Sequence, residues 1–176
     1  MIRPATQNDV CALLALEQRH GRDELDSDNP SLEAQLFDQS DFIKLIDNEL
    51  LLLALHDDTI VGYAIVVGET FYRGIPFYRR LFSRARRVAQ ESNIRCASFG
   101  CYGPVWVDPK YRGKGVFRPL VSEVISLAAR RYESLFTFIA EENEHSLNAH
   151  VQGAKMQVVD FFEDDQRGFY LLFKSC

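Results

Sequence analysis

The segment from residue 105 to residue 117 places the strongest constraint on how this 176-residue chain can fold. It begins with the apolar stretch Val105–Val107, continues through the basic glycine loop Arg112–Gly115, and enters an amphipathic stretch at Phe117. The first stretch predicts a buried strand, and the last predicts the start of a helix. A glycine loop at a helix N-terminus offers unpaired backbone N–H groups and the positive end of the helix dipole. The pattern therefore predicts a cradle for a pyrophosphate group.

The residues after the loop complete a supersecondary unit. Apolar side chains recur with helical spacing at Phe117, Leu120, Val121, Val124, Ile125 and Ala128. The aromatic and β-branched run Leu135–Ala140 then predicts a second buried strand. Strand, helix and strand make a βαβ unit, in which we expect parallel strands and a right-handed crossover.

This unit resembles the acyl-CoA-binding core of the GNAT superfamily of N-acetyltransferases, whose loop reads Arg/Gln-x-x-Gly-x-Gly/Ala. The residues that match are Arg112, Gly113, Lys114, Gly115 and Val116. Phe117 departs from the family, which usually has Gly or Ala there. Its side chain either narrows the pyrophosphate site or turns inward, and the spacing of the apolar stripe favours the inward orientation.

The resemblance covers nearly the whole chain. Residues 2–9 resemble the family's first strand and the start of its first helix, with the capping-box pair Thr6 and Asp9. The second and third strands are predicted at Leu50–Leu55 and Ile60–Val67, around a turn at residues 57–58.

The C-terminal part of the chain also matches. Residues 143–153 resemble the family's fourth-helix signature, in which Asn comes first, Tyr follows seven residues later and Gly ten residues later. Val158–Glu163 and Phe169–Phe173 predict the closing hairpin.

The resemblance implies an α/β (α+β) fold, the GNAT acyl-CoA N-acyltransferase fold. It has a central mixed, mostly antiparallel sheet flanked by helices, and its parallel fourth and fifth strands splay apart. We expect one such domain over residues 1–176, since 47% apolar and 26% charged residues are ordinary for one globular domain. Pro104 supports the splay, because proline removes a ladder donor and favours a bulge or a broken edge.

The resemblance also implies acetyl-CoA as co-substrate. Strand backbone would contact the pantetheine arm and the acetyl carbonyl, and an amide aimed at that oxygen would stabilise an oxyanion. The amides of residues 113–117 would hold the pyrophosphate, with added charge from Arg112 and Lys114, while Asn143 binds the cofactor, caps its helix, or does both. The predicted cofactor-binding residues are Val105, Trp106, Val107, Arg112, Gly113, Lys114, Gly115, Val116, Phe117 and Asn143.

His150 occupies the position at which the family usually has the Tyr that protonates the leaving CoA thiolate. An imidazole can act as the acid because its ordinary pKa is close to neutral pH. Leu147 and Val151 flank it, and a half-buried packing role is supported equally well. No carboxylate stands on the strand before Val105, where several relatives have a Glu. Glu69, Glu141 and Glu142 are candidate bases, but each is more typical of a solvated surface charge, so no base is assigned.

The four cysteines, Cys11, Cys96, Cys101 and Cys176, have neither CxxC spacing nor a His partner at zinc-ligand spacing. We expect reduced thiols and no metal site. The N-terminal residues lack an apolar signal-peptide core, and the longest aliphatic run, Leu50–Leu55, is too short to span a bilayer. These features predict a cytoplasmic protein with no membrane partner.

Two charge blocks contrast with the net charge of −5. Residues 22–49 carry nine acidic and two basic residues, which favours a cationic acceptor amine or indicates a solvated acidic surface. Residues 71–95 form an insertion, in which residues 73–95 carry seven arginines and one acidic residue. Here an apolar stripe with helical spacing starts after Pro76 and consists of Phe77, Tyr78, Leu81, Phe82, Ala85, Val88 and Ala89. This helix must dock on its own domain, on a second subunit or on an acidic partner. We favour docking on its own domain as a lid over the acceptor side. A homodimer is the alternative that the stripe allows.

The combined prediction is direct transfer of an acetyl group from acetyl-CoA to a primary amine, in a small cationic molecule, a peptide or a protein. The alternative is a non-catalytic GNAT-fold module that binds acyl-CoA or docks a partner, which Phe117, His150 and the missing strand carboxylate favour. A third hypothesis, an RNA-associated acetylase that uses the arginine helix, predicts steeply salt-sensitive binding. The overall acidity argues against a nucleic-acid partner.

Overall fold

The computed structural model describes the backbone of residues 1–25 and 37–176 and the side chains of residues 1–19 and 37–176. Five of the nine acidic residues in the block at 22–49 therefore lie outside the described side chains. The interpretation of that block as a wall of the acceptor site stays a prediction.

The described part of the chain forms a seven-stranded sheet with helices on both faces. The strands are β1 (Ile2–Pro4), β2 (Leu50–His56), β3 (Thr59–Val67), β4 (Phe99–Val107), β5 (Ser134–Ala140), β6 (Gln157–Asp164) and β7 (Arg167–Ser175). The helices are α1 (Val10–Leu25), α2 (Gln39–Asn48), α3 (Pro76–Glu91), α4 (Phe117–Ala128) and α5 (Glu144–Asn148). The strand order is β1-β2-β3-β4-β5-β7-β6, and every pair is antiparallel except β4–β5. The predicted mixed, mostly antiparallel sheet is confirmed.

Local sequence explains the ends of the first elements. The β2–β3 turn contains Asp57 and Asp58 at φ 46° and 59°, a left-handed pair of the kind that tight hairpins require. At the N-terminus, Asp9 accepts from the amide of Thr6 at 2.7 Å and forms an ion pair with Arg3 at 2.7 Å. The hydrogen bonds from Arg3 hold the pKa of Asp9 well below its usual range. Both predicted local motifs are present.

The sheet has a separate apolar core on each face. One face packs against α1, α2 and α3, which bury Leu13, Phe42 and Leu81. The other face packs against α4, where Leu120 and Val124 are fully buried. This arrangement places the start of α4, and the glycine loop before it, at one end of β4.

Helix α3 docks on its own chain. All seven residues of its predicted apolar stripe are buried. Its basic face is paired with acidic side chains elsewhere: Arg80 lies 2.9 Å from Asp164, and Arg84 lies 2.7 Å from Asp160. The helix is thereby tied to strand β6, so the charge block that suggested an external partner is partly neutralised within the fold. A role as a lid over the acceptor side stays a prediction.

All four cysteines are free thiols, and Cys101 is buried in β4. Burial raises the pKa of the Cys101 thiol, so the thiol stays protonated. None of the described helices is both long and apolar enough to cross a membrane.

Candidate active site

Strands β4 and β5 separate halfway along their length. They pair in parallel at Phe99↔Ser134, Gly100↔Leu135 and Cys101↔Phe136, and no pairing follows among the described residues. On its other side β4 remains paired with β3 as far as Val107. The edge of β4 from residue 102 to residue 107 is therefore open toward β5, as the resemblance predicted.

A bulge in β4 accompanies this separation. Ala64 faces Val105 and Val66 faces Tyr102, so two β4 residues, Gly103 and Pro104, lie opposite the single β3 residue between them. Gly103 has φ 118°, which residues with a Cβ rarely adopt. The prediction drawn from Pro104 is confirmed, because the extra residue bends β4 at the point where the strands part.

The glycine loop leaves β4 through a short 3₁₀ turn. The carboxylate of Asp108 accepts from the amide of Lys110 at 2.8 Å, and Arg112 Nε donates to the carbonyl of Val107 at 3.0 Å. Gly113 and Gly115 have φ 72° and 81°, so both positions favour glycine. A Cβ added at either glycine would meet no described heavy atom within 4 Å. The loop is thus open to a ligand on that side.

Backbone amides are available at this loop. Within the described part of the chain, no acceptor lies in hydrogen-bonding position to the amides of Gly113, Gly115, Val116 or Phe117. Val116 is the N-cap of α4 and gives no side-chain cap. Such amides at a helix start bind anions. Four exposed cations lie in the loop or directly next to it in the sequence: Lys110, Arg112, Lys114 and Arg118.

The strand residues predicted to contact the cofactor divide by burial. Trp106 is buried and stacks on Tyr63 with ring centroids 5.8 Å apart, so its side chain belongs to the core, whereas Val105 and Val107 are half-buried. Their backbone lies on the open edge of β4, which is the part that the predicted role requires.

Phe117 does not cover the loop glycines. Its half-buried ring packs against the ring of His150, with centroids 5.3 Å apart, and against the backbone of Gly153. The side chain therefore turns inward, toward the residues after β5, as the stripe spacing favoured.

His150 lies in a π-helical turn and packs against Tyr102, the residue that follows the last β4–β5 pair. The helix predicted over residues 143–153 is α-helical only through Asn148 and continues as a π-helical turn over Ala149–Gly153. His150 is buried there, and its ring packs edge-on against Tyr102 with centroids 5.5 Å apart. It lies on the α4 side of the sheet, because Tyr102 and Phe117, whose rings it contacts, belong to the core on that face.

The hydrogen bonds of His150 fix its tautomer. Nδ1 lies 2.7 Å from the carbonyl oxygen of Ser146, and because a carbonyl only accepts, Nδ1 must carry the proton. Nε2 of the neutral ring is then a proton acceptor. Burial lowers the pKa of His150, although the bond to Ser146 partly opposes this effect. The imidazole is thus neutral at neutral pH, so it must take up a proton before it can act as an acid.

This lowered pKa predicts how stability depends on pH. Below pH 6.5 the unfolded chain protonates His150 before the folded chain does, so the free energy of unfolding should fall as the pH drops below that value. Substitution of His150 by Gln removes this contribution, while His145→Gln on the exposed side of the same helix does not. Urea unfolding at several pH values from 5 to 8 should show the wild-type advantage over His150→Gln shrinking only in the acidic range. A constant difference across that range would contradict the assignment.

Asn143 and two of the three candidate bases are already engaged, whereas Glu141 is exposed after the end of β5. Asn143 accepts from the amide of Ser146 at 3.1 Å and so caps α5; its cofactor role stays a prediction. Glu69 pairs with Arg86 at 2.9 Å, and Glu142 pairs with Arg167 at 2.6 Å. Bonds from its own backbone amide and from Arg167 lower the pKa of Glu142, which weakens it as a base.

Sequence reasoning missed two side chains near the gap. Glu17 of α1 is buried (8% exposed), and accepts from the hydroxyl of Tyr63 at 3.0 Å and from the amide of Phe37 at 3.3 Å. This brings a carboxylate to the ring that stacks on Trp106. Tyr102 has a buried hydroxyl with no described hydrogen-bond partner, and burial keeps its pKa well above 10. The apolar pattern of a helix does not predict that a single Glu points inward. Tyr102 is typical of any strand, so its sequence position does not predict a role at the site.

Comparison with known proteins adds to this geometry. The structure is similar to the ribosomal-protein-alanine N-acetyltransferase from Brucella melitensis, with a TM-score of 0.68 and 20% identity over 100% of this chain and 99% of that chain. It is also similar to an acetyltransferase of the GNAT family from Streptococcus pneumoniae, with a TM-score of 0.69 and 17% identity over 99% and 98% of the two chains. A GNAT superfamily phosphinothricin acetyltransferase from Sinorhizobium meliloti, in complex with acetyl-CoA, gives a TM-score of 0.66 and 12% identity over 99% and 87%. At these identities the likeness establishes the fold alone.

The sequence itself carries the family assignment. No curated protein matches the chain significantly. The sequence profile described as the acetyltransferase (GNAT) family, however, matches residues 13–154, which include the open strand, the glycine loop and the turn that holds His150. The chain therefore belongs to the GNAT family of acetyltransferases, and the predicted resemblance, fold and acyltransferase class are confirmed.

Proposed function

We propose that this protein transfers an acetyl group from acetyl-CoA directly to a primary amine. One observation carries the proposal: the open edge of β4 leads straight into a loop whose amides at Gly113, Gly115, Val116 and Phe117 have no hydrogen-bond acceptor among the described residues. An extended pantetheine arm can pair with the strand edge, while its pyrophosphate lies on the amides. Acetyl-CoA is bound in the similar S. meliloti structure.

The proposed reaction needs little beyond positioning and charge stabilisation. The neutral amine attacks the acetyl carbon, a C–N bond forms, and the C–S bond then breaks to release CoA thiolate. An amide on β4 that donates to the acetyl oxygen would stabilise the negative charge of the tetrahedral intermediate. The attacking nitrogen loses one proton and the thiolate gains one, so one group can serve both steps.

His150 is the residue to which we assign this proton transfer. Because Nδ1 donates to Ser146, the lone pair of Nε2 can accept the proton of the attacking nitrogen. The resulting imidazolium, which burial destabilises, then gives a proton to the thiolate. This assignment needs no acid that is already charged in the resting protein.

The acceptor is proposed only as a primary amine. According to their names, one of the similar proteins acetylates the alanine of a ribosomal protein and another acetylates phosphinothricin. The fold therefore accommodates both peptide and small-molecule acceptors. The buried carboxylate of Glu17 and the acidic block at residues 22–49 favour a cationic acceptor.

The proposal is tested by calorimetric titration with acetyl-CoA, followed by an assay of CoA thiol release with a panel of primary amines and peptide N-termini. We expect micromolar binding and thiol release with at least one amine. His150→Gln should lower kcat by about 100-fold or more while leaving acetyl-CoA affinity unchanged, since general acid–base catalysis contributes roughly 10²–10⁴-fold.

His145→Gln is the matched control, because His145 is exposed on the same helical segment, and its activity should equal that of the wild type. Full turnover in His150→Gln would exclude His150 as the proton-transfer group. Binding without thiol release for every amine would instead favour a non-catalytic acyl-CoA-binding module. Absence of acetyl-CoA binding would contradict the proposal as a whole.

A further inference from the structure

The two residues at which this chain departs from the family loop and helix signatures touch each other. Phe117 stands where the family has a small residue, and His150 stands where it has Tyr. Their ring centroids lie 5.3 Å apart with an interplanar angle of 82°, an edge-to-face contact.

The imidazole is held on three sides. The ring of Phe117 contacts it from α4. The ring of Tyr102 contacts it from β4, with ring centroids 5.5 Å apart and an interplanar angle of 74°. The carbonyl of Ser146 holds Nδ1 at 2.7 Å. Two nearly perpendicular ring contacts and one hydrogen bond fix both the position and the rotation of the ring, and hence the direction of Nε2.

The turn that carries His150 is shaped to accept Phe117. A Cβ on Gly153 would lie 3.1 Å from Cε1 of Phe117, tighter than ordinary van der Waals contact. A glycine at this position therefore lets the ring lie against the backbone of the turn. The turn is π-helical over Ala149–Gly153, a geometry that often occurs at functional sites.

Phe117 also belongs to the cofactor loop. It is the first residue of α4 and follows Val116 and Gly115, whose amides are among those available for an anion. Its backbone and its side chain thus face different parts of the site: the amide faces the predicted pyrophosphate, and the ring holds the predicted proton-transfer group.

On these contacts, and resting on the proposed function, we propose that Phe117 is a positioning residue that fixes the imidazole of His150 for proton transfer. Its ring excludes water from one side of the imidazole and prevents the rotation that would break the bond to Ser146. Nδ1 of His150 faces the carbonyl of Ser146, and the titratable side chain in ring contact with His150 among the described residues is Tyr102, whose phenol stays neutral because burial raises its pKa. The geometry of the acid–base group therefore depends on the same residue that begins the cofactor helix.

The test uses the full chain labelled with ¹⁵N at histidine, and the variants Phe117→Leu and Phe117→Tyr. In the wild type, the nitrogen shifts of His150 should report the Nδ1–H tautomer and a pKa below 6.5. Phe117→Leu should raise that pKa and mix the tautomers, whereas Phe117→Tyr, which retains the ring edge, should keep the Nδ1–H tautomer and the lowered pKa of His150. Phe99→Leu removes a ring from the opposite face of the sheet and controls for a general loss of packing.

Kinetics give the second readout. Phe117→Leu should lower kcat by about tenfold or more with little change in the KM for acetyl-CoA, since a mispositioned acid–base group loses part of its roughly 10²–10⁴-fold contribution. Unchanged His150 shifts in Phe117→Leu would overturn the proposal. So would a higher KM at constant kcat, which would assign the side chain to cofactor binding. The nitrogen shifts need no turnover, so a failed positioning role is distinguishable from a protein that does not bind acetyl-CoA.

Discussion

Gly115→Glu is expected to weaken acetyl-CoA binding by about 100-fold or more, because like charges placed together at a binding site cost several kcal/mol. Two causes act together. Gly115 has φ 81°, which costs an L-residue about 1–2 kcal/mol, and the new carboxylate would lie beside the amides proposed to hold the pyrophosphate. Calorimetric titration of the purified protein with acetyl-CoA measures the effect directly.

Two further variants separate these causes. Gly115→Ala introduces the backbone strain without the charge, so its affinity should fall by a smaller factor, about tenfold. Gly74→Glu adds the same charge before α3, where φ is ordinary and an added Cβ meets no described atom within 4 Å. Its affinity should match that of the wild type. Equal binding by Gly115→Glu and the wild type would mean that acetyl-CoA does not lie on the glycine loop.

The sequence predicts those parts of the fold that local patterns determine. The stripe at Leu120, Val121 and Val124 places α4, and the Asp57–Asp58 turn places the β2–β3 hairpin. Pro104 predicts the bulge in β4 because a missing N–H has the same consequence in any sheet. Helix α3 is predicted equally well, since all seven apolar positions of its stripe are buried.

Contacts between distant segments are the part that the sequence does not predict. The arginines of α3 form a charge block in sequence, but the partners of Arg80 and Arg84 are Asp164 and Asp160 on β6, more than seventy positions away. The contact of Tyr63 with Glu17 and that of Tyr102 with His150 likewise join separate elements. Side-chain periodicity tells which face of an element is buried, but not which residue of another element it meets.

The protonation state of His150 shows the same limit at the site. Its place in the fourth-helix signature indicates a role in proton transfer, but the sequence does not reveal the carbonyl of Ser146 that fixes the tautomer or the rings of Tyr102 and Phe117 that pack against the imidazole. These features make the resting imidazole a proton acceptor rather than a charged acid. Environment, more than residue type, decides which chemistry the residue can perform.

Phe136→Ala should lower the free energy of unfolding by about 3–5 kcal/mol, the usual cost of deleting a buried aromatic ring. Phe136 is fully buried in the last parallel pair before β4 and β5 separate. Its ring packs against the rings of Phe82 in α3 and Phe173 in β7, with centroid distances of 4.9 Å and 6.0 Å. The ring therefore joins the inserted helix to strands β5 and β7, and the backbone hydrogen bonds around it limit how far the cavity can collapse.

Urea unfolding measures the free energy of unfolding of Phe136→Ala and of the control variant Phe161→Ala, each relative to the wild type. Phe161 is 42% exposed on β6, so the same deletion should cost about 1 kcal/mol or less there. Because a domain of this kind is stable by only about 5–15 kcal/mol, the first loss is a large share of the total. Equal losses in the two variants would show that α3 and the sheet are not held together at Phe136. A large loss at Phe136 alone would mean that β4 and β5 are held together firmly up to the point where they separate. The gap beyond that point can stay open for a ligand only if the pairing before it is firm.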